Sequence, residues 1–423
     1  MKKHLLLITA FTFAVTLGRA QEIIRCATTE YTQMEEQLDP SIKKARAIIE
    51  EQTRAYIENQ KNNPTPVTNT VVTIPIVFHI VYNNAAENVS DACIAATLKS
   101  LNDDFRKLNA DFTTKTPAVF QSLGADCEIQ FCMATKDPTG AATNGITRTS
   151  STHGPFSTNN DVKYTSKGGH DVWDSKKYVN LWVCNFAGSL LGYGQFPGGS
   201  AATDGVVCHV KYLHKNGGCG ATPFELGRTT VHELGHFFNL KHINGDSNCG
   251  DDGVADTPKQ DQLHFGCPTH PLHANNCSGS TNGEMFMNYM DYVDDKCMVM
   301  FTLGQKTRMQ AALSGPRSGL LTSAATLCSA GSGTYDLSLS DHISIYPNPS
   351  STGEVFITTE LSNINTMDLK VYNAIGEMVL SKKVTVSSSR DIKLDMSSSP
   401  DGIYLFQVKT SEGTLTKKVV ISR

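Results

Sequence analysis

Residues 232–242 read His-Glu-Leu-Gly-His-Phe-Phe-Asn-Leu-Lys-His, and no other stretch restricts the fold as much. Helical spacing puts His232 and His236 one turn apart on one face. Two imidazoles so placed can hold one zinc ion, with Glu233 beside them to move a proton. His242 offers a third nitrogen, but a continuous helix rises ~1.5 Å per residue and would carry it roughly 15 Å beyond His232. The chain is therefore expected to turn back between them. Asn239 stands where that turn is needed, and asparagine is among the residues that tolerate the left-handed conformation ending a helix. Three nitrogens leave one tetrahedral position open for water, as in a catalytic zinc site. The plainer alternative is a buried amphipathic helix with incidental histidines, whose polar rings would then each need a partner.

With Asn239 where glycine is usual, this pattern resembles the metzincin metalloproteases. Asn288-Tyr289-Met290-Asp291-Tyr292 resembles their methionine-containing turn, with Met290 as the floor beneath the metal. The sequence from Gly227-Arg228-Thr229 to Phe301-Thr302-x-Gly304-Gln305-x-x-Arg308-Met309 resembles the pappalysin family in particular, as does Gly145-Ile146-Thr147-Arg148. Bacterial members of that family are secreted endopeptidases. The resemblance implies an α+β metzincin catalytic domain: a mixed twisted sheet, an active-site helix and a loop-rich lower part containing the Met-turn. It implies zinc on His232, His236 and His242, Glu233 as general base for the attacking water, and Tyr292 steadying the tetrahedral intermediate. Packing is the plainer role for Tyr292.

The chain has 423 residues, enough for two or three domains, and its net charge of −4 carries no basic stripe that would suggest a nucleic-acid partner. Its twelve cysteines fit an oxidising compartment. Lys2 and Lys3 precede a short apolar run, Leu5 to Leu17, and Gly18-Arg19-Ala20 follows. Residues 1–20 therefore read as a secretory signal peptide, and no later run is long enough to cross a bilayer. Residues 21–66 are charged and helix-prone and end in Asn62-Asn63-Pro64-Thr65-Pro66, as a pro-peptide and its linker would. Arg25-Cys26 resembles the cysteine switches of some metzincin zymogens, with Cys26 as the thiolate that fills zinc's open position; Asp39 is the carboxylate alternative. A structural disulfide or a plain spacer would demand less of this segment.

The catalytic domain is expected over 67–321. Residues 71–82 suit a buried strand, Ser90 can cap a helix from about Ala92 to Leu108, and Cys127–Met133, Tyr178–Phe186 and 204–210 read as further strands. In metzincins a strand shortly before the zinc helix forms the sheet edge that pairs with substrate, and 204–210 is the expected edge. His209 within it reads as a strand residue near the cleft. Cys208 and Cys219 are candidates for one bridge. Clustered carboxylates and glycines over 248–258 suggest a calcium loop, with Asp252, Asp256 and Thr257 as candidate ligands against the alternative of a solvated acidic loop. Cys249, Cys267, Cys277 and Cys297 allow three pairings. The family resemblance favours Cys249 with Cys277 and Cys267 with Cys297. His264, His270 and His273 read as surface residues of the same loop. A final helix is expected over 302–313 with Thr302 as a possible cap, followed by a linker over 322–334.

Seven short strand-like segments follow within 335–423, which suggests a small all-β immunoglobulin-like sandwich. Tyr346-Pro347-Asn348-Pro349, Val371-Tyr372-Asn373-x-x-Gly376, Gly402-Ile403-Tyr404 and Lys417-Lys418-Val419-Val420-Ile421 resemble the C-terminal sorting domain of type IX secretion cargo. That resemblance implies export through the periplasm and outer membrane, with the secretion machinery as a partner. A carbohydrate-binding or adhesive module is the alternative. The whole chain thus reads as a secreted zinc endopeptidase acting on proteins or peptides. The acidic Asp291, Asp294 and Asp295 after the Met-turn suggest cleavage before Lys or Arg. The rival readings are a surface adhesin with a non-catalytic metal site and a zinc hydrolase of non-peptide substrates.

Overall fold

The structure, a computed structural model, describes residues 23–63, 71–328, 343–359, 366–373, 376–385, 391–410 and 413–423. The expected signal peptide, residues 64–66 and residues 329–334 lie outside them.

The apolar run Val72–Tyr82 forms β1, and its two-residue period sorts its side chains. Ile74, Ile76, Phe78 and Ile80 enter the main core, while Val77 and Val81 join smaller clusters. Along one side β1 pairs in parallel with β2 (Ile129–Met133) and then β3 (Ile146–Ser150). On its other side come β4 (Val179–Cys184), β6 (Val206–His209) and β5 (Gly192–Gly194), in that order. Only β5 runs antiparallel to its neighbour. The edge beside the cleft is therefore β5, not residues 204–210. A Gly-Tyr-Gly triplet carries no apolar run, so its strand character comes from pairing with Val206–Cys208.

Two helices, α1 (Thr28–Leu38) and α2 (Pro40–Asn62), precede the sheet. Ser90 caps α3 (Asp91–Phe105) by accepting from the Cys93 amide, and single-turn helices α4 (Phe112–Lys115) and α5 (Ala118–Gln121) follow. Helix α6 (Arg228–Phe237) carries the histidine motif and packs with α3 under the sheet's main-core face. Thr302 and Gln305 form a reciprocal capping box at the start of α7 (Leu303–Ser314). Residues 320–327 form α8, whose Leu327 packs in a cluster with Val77 of β1, and Cys328 is bonded to Cys132. The first part of the expected 322–334 linker is thus a packed, cross-linked helix; small side chains let it lie close to the sheet.

Between α6 and α7 regular structure is nearly absent; residues 285–301 join the main core, and covalent bonds tie the loops before them. Cys249 is bonded to Cys277 and Cys267 to Cys297. Cys219 pairs with Cys93, not Cys208, which stays a buried thiol with Cys26, Cys127 and Cys184.

The C-terminal strands form two antiparallel sheets. One holds β7 (Ile343–Tyr346), β8 (Glu354–Thr359) and β11 (Asp391–Asp395); the other holds β9 (Thr366–Asn373), β10 (Met378–Thr385), β12 (Gly402–Thr410) and β13 (Gly413–Ile421). Ile343, Val355, Ile357 and Leu394 from the first share a core with Leu369, Phe406, Val408 and Val419 from the second, which makes the unit a sandwich.

Candidate active site

The imidazoles gather because α6 ends where the motif needs it to. Asn239 has φ +72°, the left-handed conformation that turns the chain back and returns His242 toward the helix. The Nε2 atom of His236 then lies 3.2 Å from that of His232 and 3.1 Å from that of His242. Tetrahedral zinc with nitrogens at ~2.0–2.1 Å needs donor atoms roughly 3.3 Å apart, so the donor set fits that ion. Each ring is aimed from behind. His232 Nδ1 donates to the Tyr289 carbonyl at 2.6 Å and His236 Nδ1 to the Leu240 carbonyl at 2.7 Å. A carbonyl only accepts, so both rings leave Nε2 as the free lone pair. His242 Nδ1 meets Asp246 Oδ1 at 2.5 Å. Nothing in the sequence singles out Asp246, because its contact exists only after the turn at Asn239 returns the chain.

Met290 is fully buried beneath the helix. A Cβ on Gly235 would stand 2.4 Å from its sulfur, which explains the glycine inside the motif. At the edge strand, a Cβ on Gly194 would meet the Glu233 carbonyl oxygen at 2.7 Å, so β5 lies directly against α6.

The segment 23–38 fills the cleft. Ile24 pairs in parallel with Leu190, and the Ala27 amide donates to the Gly192 carbonyl at 3.1 Å. Cys26 Sγ belongs to one donor cluster with His232, His236 and His242, all within 4.8 Å of one another. The Cys26 thiol donates to Glu233 Oε2 at 3.3 Å and the Thr28 hydroxyl donates to the same oxygen at 3.0 Å. Burial raises the Glu233 carboxyl to about 8, against the pull of Cys26, Thr28 and Arg25. Burial and the neighbouring Glu233 also push the Cys26 thiol up. Tyr292 Oη lies 3.0 Å from His242 Nε2 and 3.4 Å from the Cys26 carbonyl. Burial, then Cys26 and Glu233, push that phenol up, so it stays a proton donor.

Arg25 enters a pocket beside the triad. Its guanidinium donates to Asp295 Oδ1 and to Thr229 Oγ1, both at 2.8 Å, and lies 4.4 Å over the Phe224 ring. Of the three expected acidic residues, Asp295 faces this pocket; Asp291 binds Gln260 and His264, and Asp294 lies beside Lys296. Asp39, the carboxylate alternative to Cys26, is exposed and caps α2 through the Ser41 amide. Helix α2 docks through Glu50, which pairs with both terminal nitrogens of Arg308, while Arg308 Nε donates to the Asn239 carbonyl at 2.7 Å. His209 is buried in β6, where its Nδ1 accepts from the Lys211 amide.

The acidic loop divides its tasks. Asp252 is buried and accepts from Thr257 Oγ1 and the Val254 amide, and burial raises its carboxyl to about 7. Asp256 is committed to the start of α7, accepting from Thr302 Oγ1 and the Gly304 amide. His264, expected at the surface, is buried, and its Nδ1 lies 2.9 Å from Asp291 Oδ2; His270 is half-buried, with its Nε2 2.8 Å from the Asn282 carbonyl.

Comparison with known proteins agrees with this geometry. The family model for M43 peptidases, described as pregnancy-associated plasma protein-A, matches residues 162–314, and that for a secretion system C-terminal sorting domain matches residues 344–422. An extracellular metalloprotease of Sordaria macrospora is 40% identical over 138 residues, 31% of this chain and 47% of that protein. The match thus spans about half of that relative's length. One of Pyricularia oryzae is 29% identical over 274 residues, 63% of this chain and 83% of that protein. Mature mirolysin of Tannerella forsythia with a cleaved peptide is 42% identical with TM-score 0.59, covering 62% of this chain and 99% of its own. A promirolysin variant from the same organism is 38% identical with TM-score 0.64 and covers 71% of this chain and 98% of its own. Among the described residues no helix is long and apolar enough to cross a membrane, and the sorting domain marks an exported protein. The chain belongs to the pappalysin (M43) family of metalloproteases.

Proposed function

We propose that this chain is a secreted zinc endopeptidase held latent by its own N-terminal segment, with residues 21–66 as the pro-peptide and 335–423 as the domain read by a type IX secretion system. The observation that carries the reading is the occupant of the cleft: Arg25 and Cys26 lie along the edge strand, with the thiol among three imidazoles and the guanidinium on Asp295. His232, His236 and His242 would hold zinc, which supplies Lewis acidity, making water acidic near pH ~7 and polarising a carbonyl. Once the segment leaves, Glu233 is freed of Cys26 and Thr28 and accepts the proton of the attacking water. It then returns that proton to the leaving amine. Tyr292 keeps its phenolic proton and donates it in a hydrogen bond to the developing oxyanion. Met290 holds the floor through its contact with Gly235. The larger coverage by the pro-form of mirolysin than by the mature form, 71% against 62%, favours a pro-segment.

We extend the reading to specificity and to calcium. The Arg25 pocket ends on Asp295, which favours cleavage before Lys or Arg. Asp252 is buried with its charge opposed by burial, as a carboxylate awaiting a cation is, and Thr257 lies beside it. Asp256, already bound at the start of α7, is the weakest of the three candidate calcium ligands.

A mass-spectrometric cleavage map of a peptide library tests this. The chain freed of residues 21–66 should cut before Lys or Arg, and Glu233→Ala should lose roughly 10²–10⁴-fold in rate. Asp295→Asn should lower the preference for Lys and Arg by roughly 10-fold to 100-fold while other cuts persist. Cuts that survive Glu233→Ala would remove the mechanism, and a map without basic preference would remove the pocket assignment. No cuts from the freed chain would favour the adhesin reading.

A further inference from the structure

Two polar atoms in the loop region are buried without a hydrogen-bond partner and face each other. His264 is 5% exposed and Glu284 is 0% exposed, and His264 Nε2 and Glu284 Oε2 are both unsatisfied. They stand 2.9 Å apart, yet not aligned as donor and acceptor. His273 Nδ1 lies 3.3 Å from the same Glu284 oxygen and 3.2 Å from Asp261 Oδ1. Asp261, His264, His273 and Glu284 thus present one donor atom each, all within 4.8 Å of one another. Leaving such atoms unpaired in a protein interior costs stability, so a group that satisfies them together is called for.

We propose that Asp261, His264, His273 and Glu284 hold a second, structural zinc-type ion. The spacing supports this on the standard the triad sets. Neighbouring donors here are 2.9–3.3 Å apart, and the triad's are 3.1–3.2 Å apart. Tetrahedral zinc asks for roughly 3.3 Å. Two imidazoles and two carboxylates suit a borderline divalent ion, whereas calcium takes oxygen ligands. The ligands are also aimed as metal ligands are. His264 Nδ1 lies 2.9 Å from Asp291 Oδ2, Glu284 Oε1 accepts from the Asp261 amide, and Asp261 Oδ2 accepts from Asn276 Nδ2.

The position gives the ion a task. Asp291 follows Met290, and its Oδ1 accepts from the amides of His264 and Tyr292 at 2.7 Å each. An ion on His264 therefore fixes, through Asp291, the backbone that carries the Met-turn and Tyr292. It would clamp the same loops that the bonds Cys249–Cys277 and Cys267–Cys297 tie. The rival is a protonated His264 bridging Asp291 and Glu284 with no metal.

The test is metal content of the purified full-length chain equilibrated with zinc, joined to anomalous scattering at the zinc edge. The proposal expects about two zinc ions per chain, with one anomalous peak among the four residues. His273→Ala, whose side chain is half-buried at the mouth of the site, and the isosteric Glu284→Gln should each retain about one ion. His232→Ala should lose the other ion and keep this one, so failure of the protease reading leaves the result readable. A single zinc in the unaltered chain, a second zinc that survives both variants, or no peak at the four residues would overturn the proposal. So would occupancy by calcium in competition with zinc. The peak in the unaltered chain decides the matter even where a variant fails to fold.

Discussion

The catalytic domain has two halves that reach order by different means. Above the cleft, β1 to β6 with α3 and α6 bury a continuous apolar core, and side-chain direction follows the strand and helix periods. Below it, residues 238–302 contain one 3₁₀ turn. Their ends join the same core, through Leu240 and Ile243 and through Met287, Met290 and Phe301, while the loops of 244–284 between them are held by two disulfides, buried carboxylates and left-handed turns at Asp246 and Cys249. The upper half supplies the helix that bears Glu233, and the lower half supplies His242, Met290, Tyr292 and the Asp295 pocket. A rigid scaffold can thus hold Glu233 in place while the loops beneath position the third imidazole and the pocket that takes Arg25.

If the lower half relies on cross-links, breaking one should matter there first. Cys267→Ser is expected to cost ~2–4 kcal/mol of stability. Limited proteolysis should then cut within residues 249–297 while the sheet stays resistant; a uniform cleavage pattern would break the comparison. Gly235→Ala probes the seam between the halves. Met290 is fully buried and cannot swing clear of the added methyl, so overpacking should cost about 1–3 kcal/mol, read as a lower denaturant midpoint. An unchanged midpoint would mean the Met-turn yields more easily than its packing implies.

The upper half should show itself in pH dependence. Lys163 is buried beside Tyr31 and Tyr193, its Nζ donates to the Thr203 carbonyl at 2.7 Å, and burial lowers its pKa to about 7. An unfolded lysine keeps its proton to pH ~10.4. Between these values the unfolded state holds a proton that the folded state lacks, so stability rises with pH, by at most ~1.36 kcal/mol per pH unit. Below pH ~7 both states are protonated and this contribution is flat. Thermal unfolding of the parent should therefore gain on that of Lys163→Met between pH 7 and 9. Parallel curves would contradict the burial argument.

Local patterns were readable in the sequence, and long-range ones were not. The helix at His232, the turn at Asn239, the cap at Ser90 and the strand at Val72 depend on neighbours in the chain, and each is where its pattern puts it. Strand β5 escaped because Gly-Tyr-Gly is made a strand by its partner β6. Helix α8 escaped because its Ser/Ala-rich composition says little until β1 and Cys132 are beside it. His264 reads as a surface residue in the sequence because a loop has no period from which burial can be inferred. Asp246 matters through His242, a contact that the sequence does not announce; Asp295 is one of three acidic residues that the sequence offers, and only its contact with Arg25 sets it apart.

If Arg25 and Cys26 plug a working site, removing both side chains should open it without any cut in the chain. The full-length Arg25→Ala/Cys26→Ala chain, shown by gel to be uncut, is measured on a quenched peptide containing arginine, beside the uncut parent. The variant should hydrolyse the peptide at least ~10-fold faster than the parent while residues 23–62 remain attached, since about 1.4 kcal/mol of lost plugging suffices for that factor. An uncut variant as silent as the parent, alongside an active chain freed of residues 21–66, would contradict it.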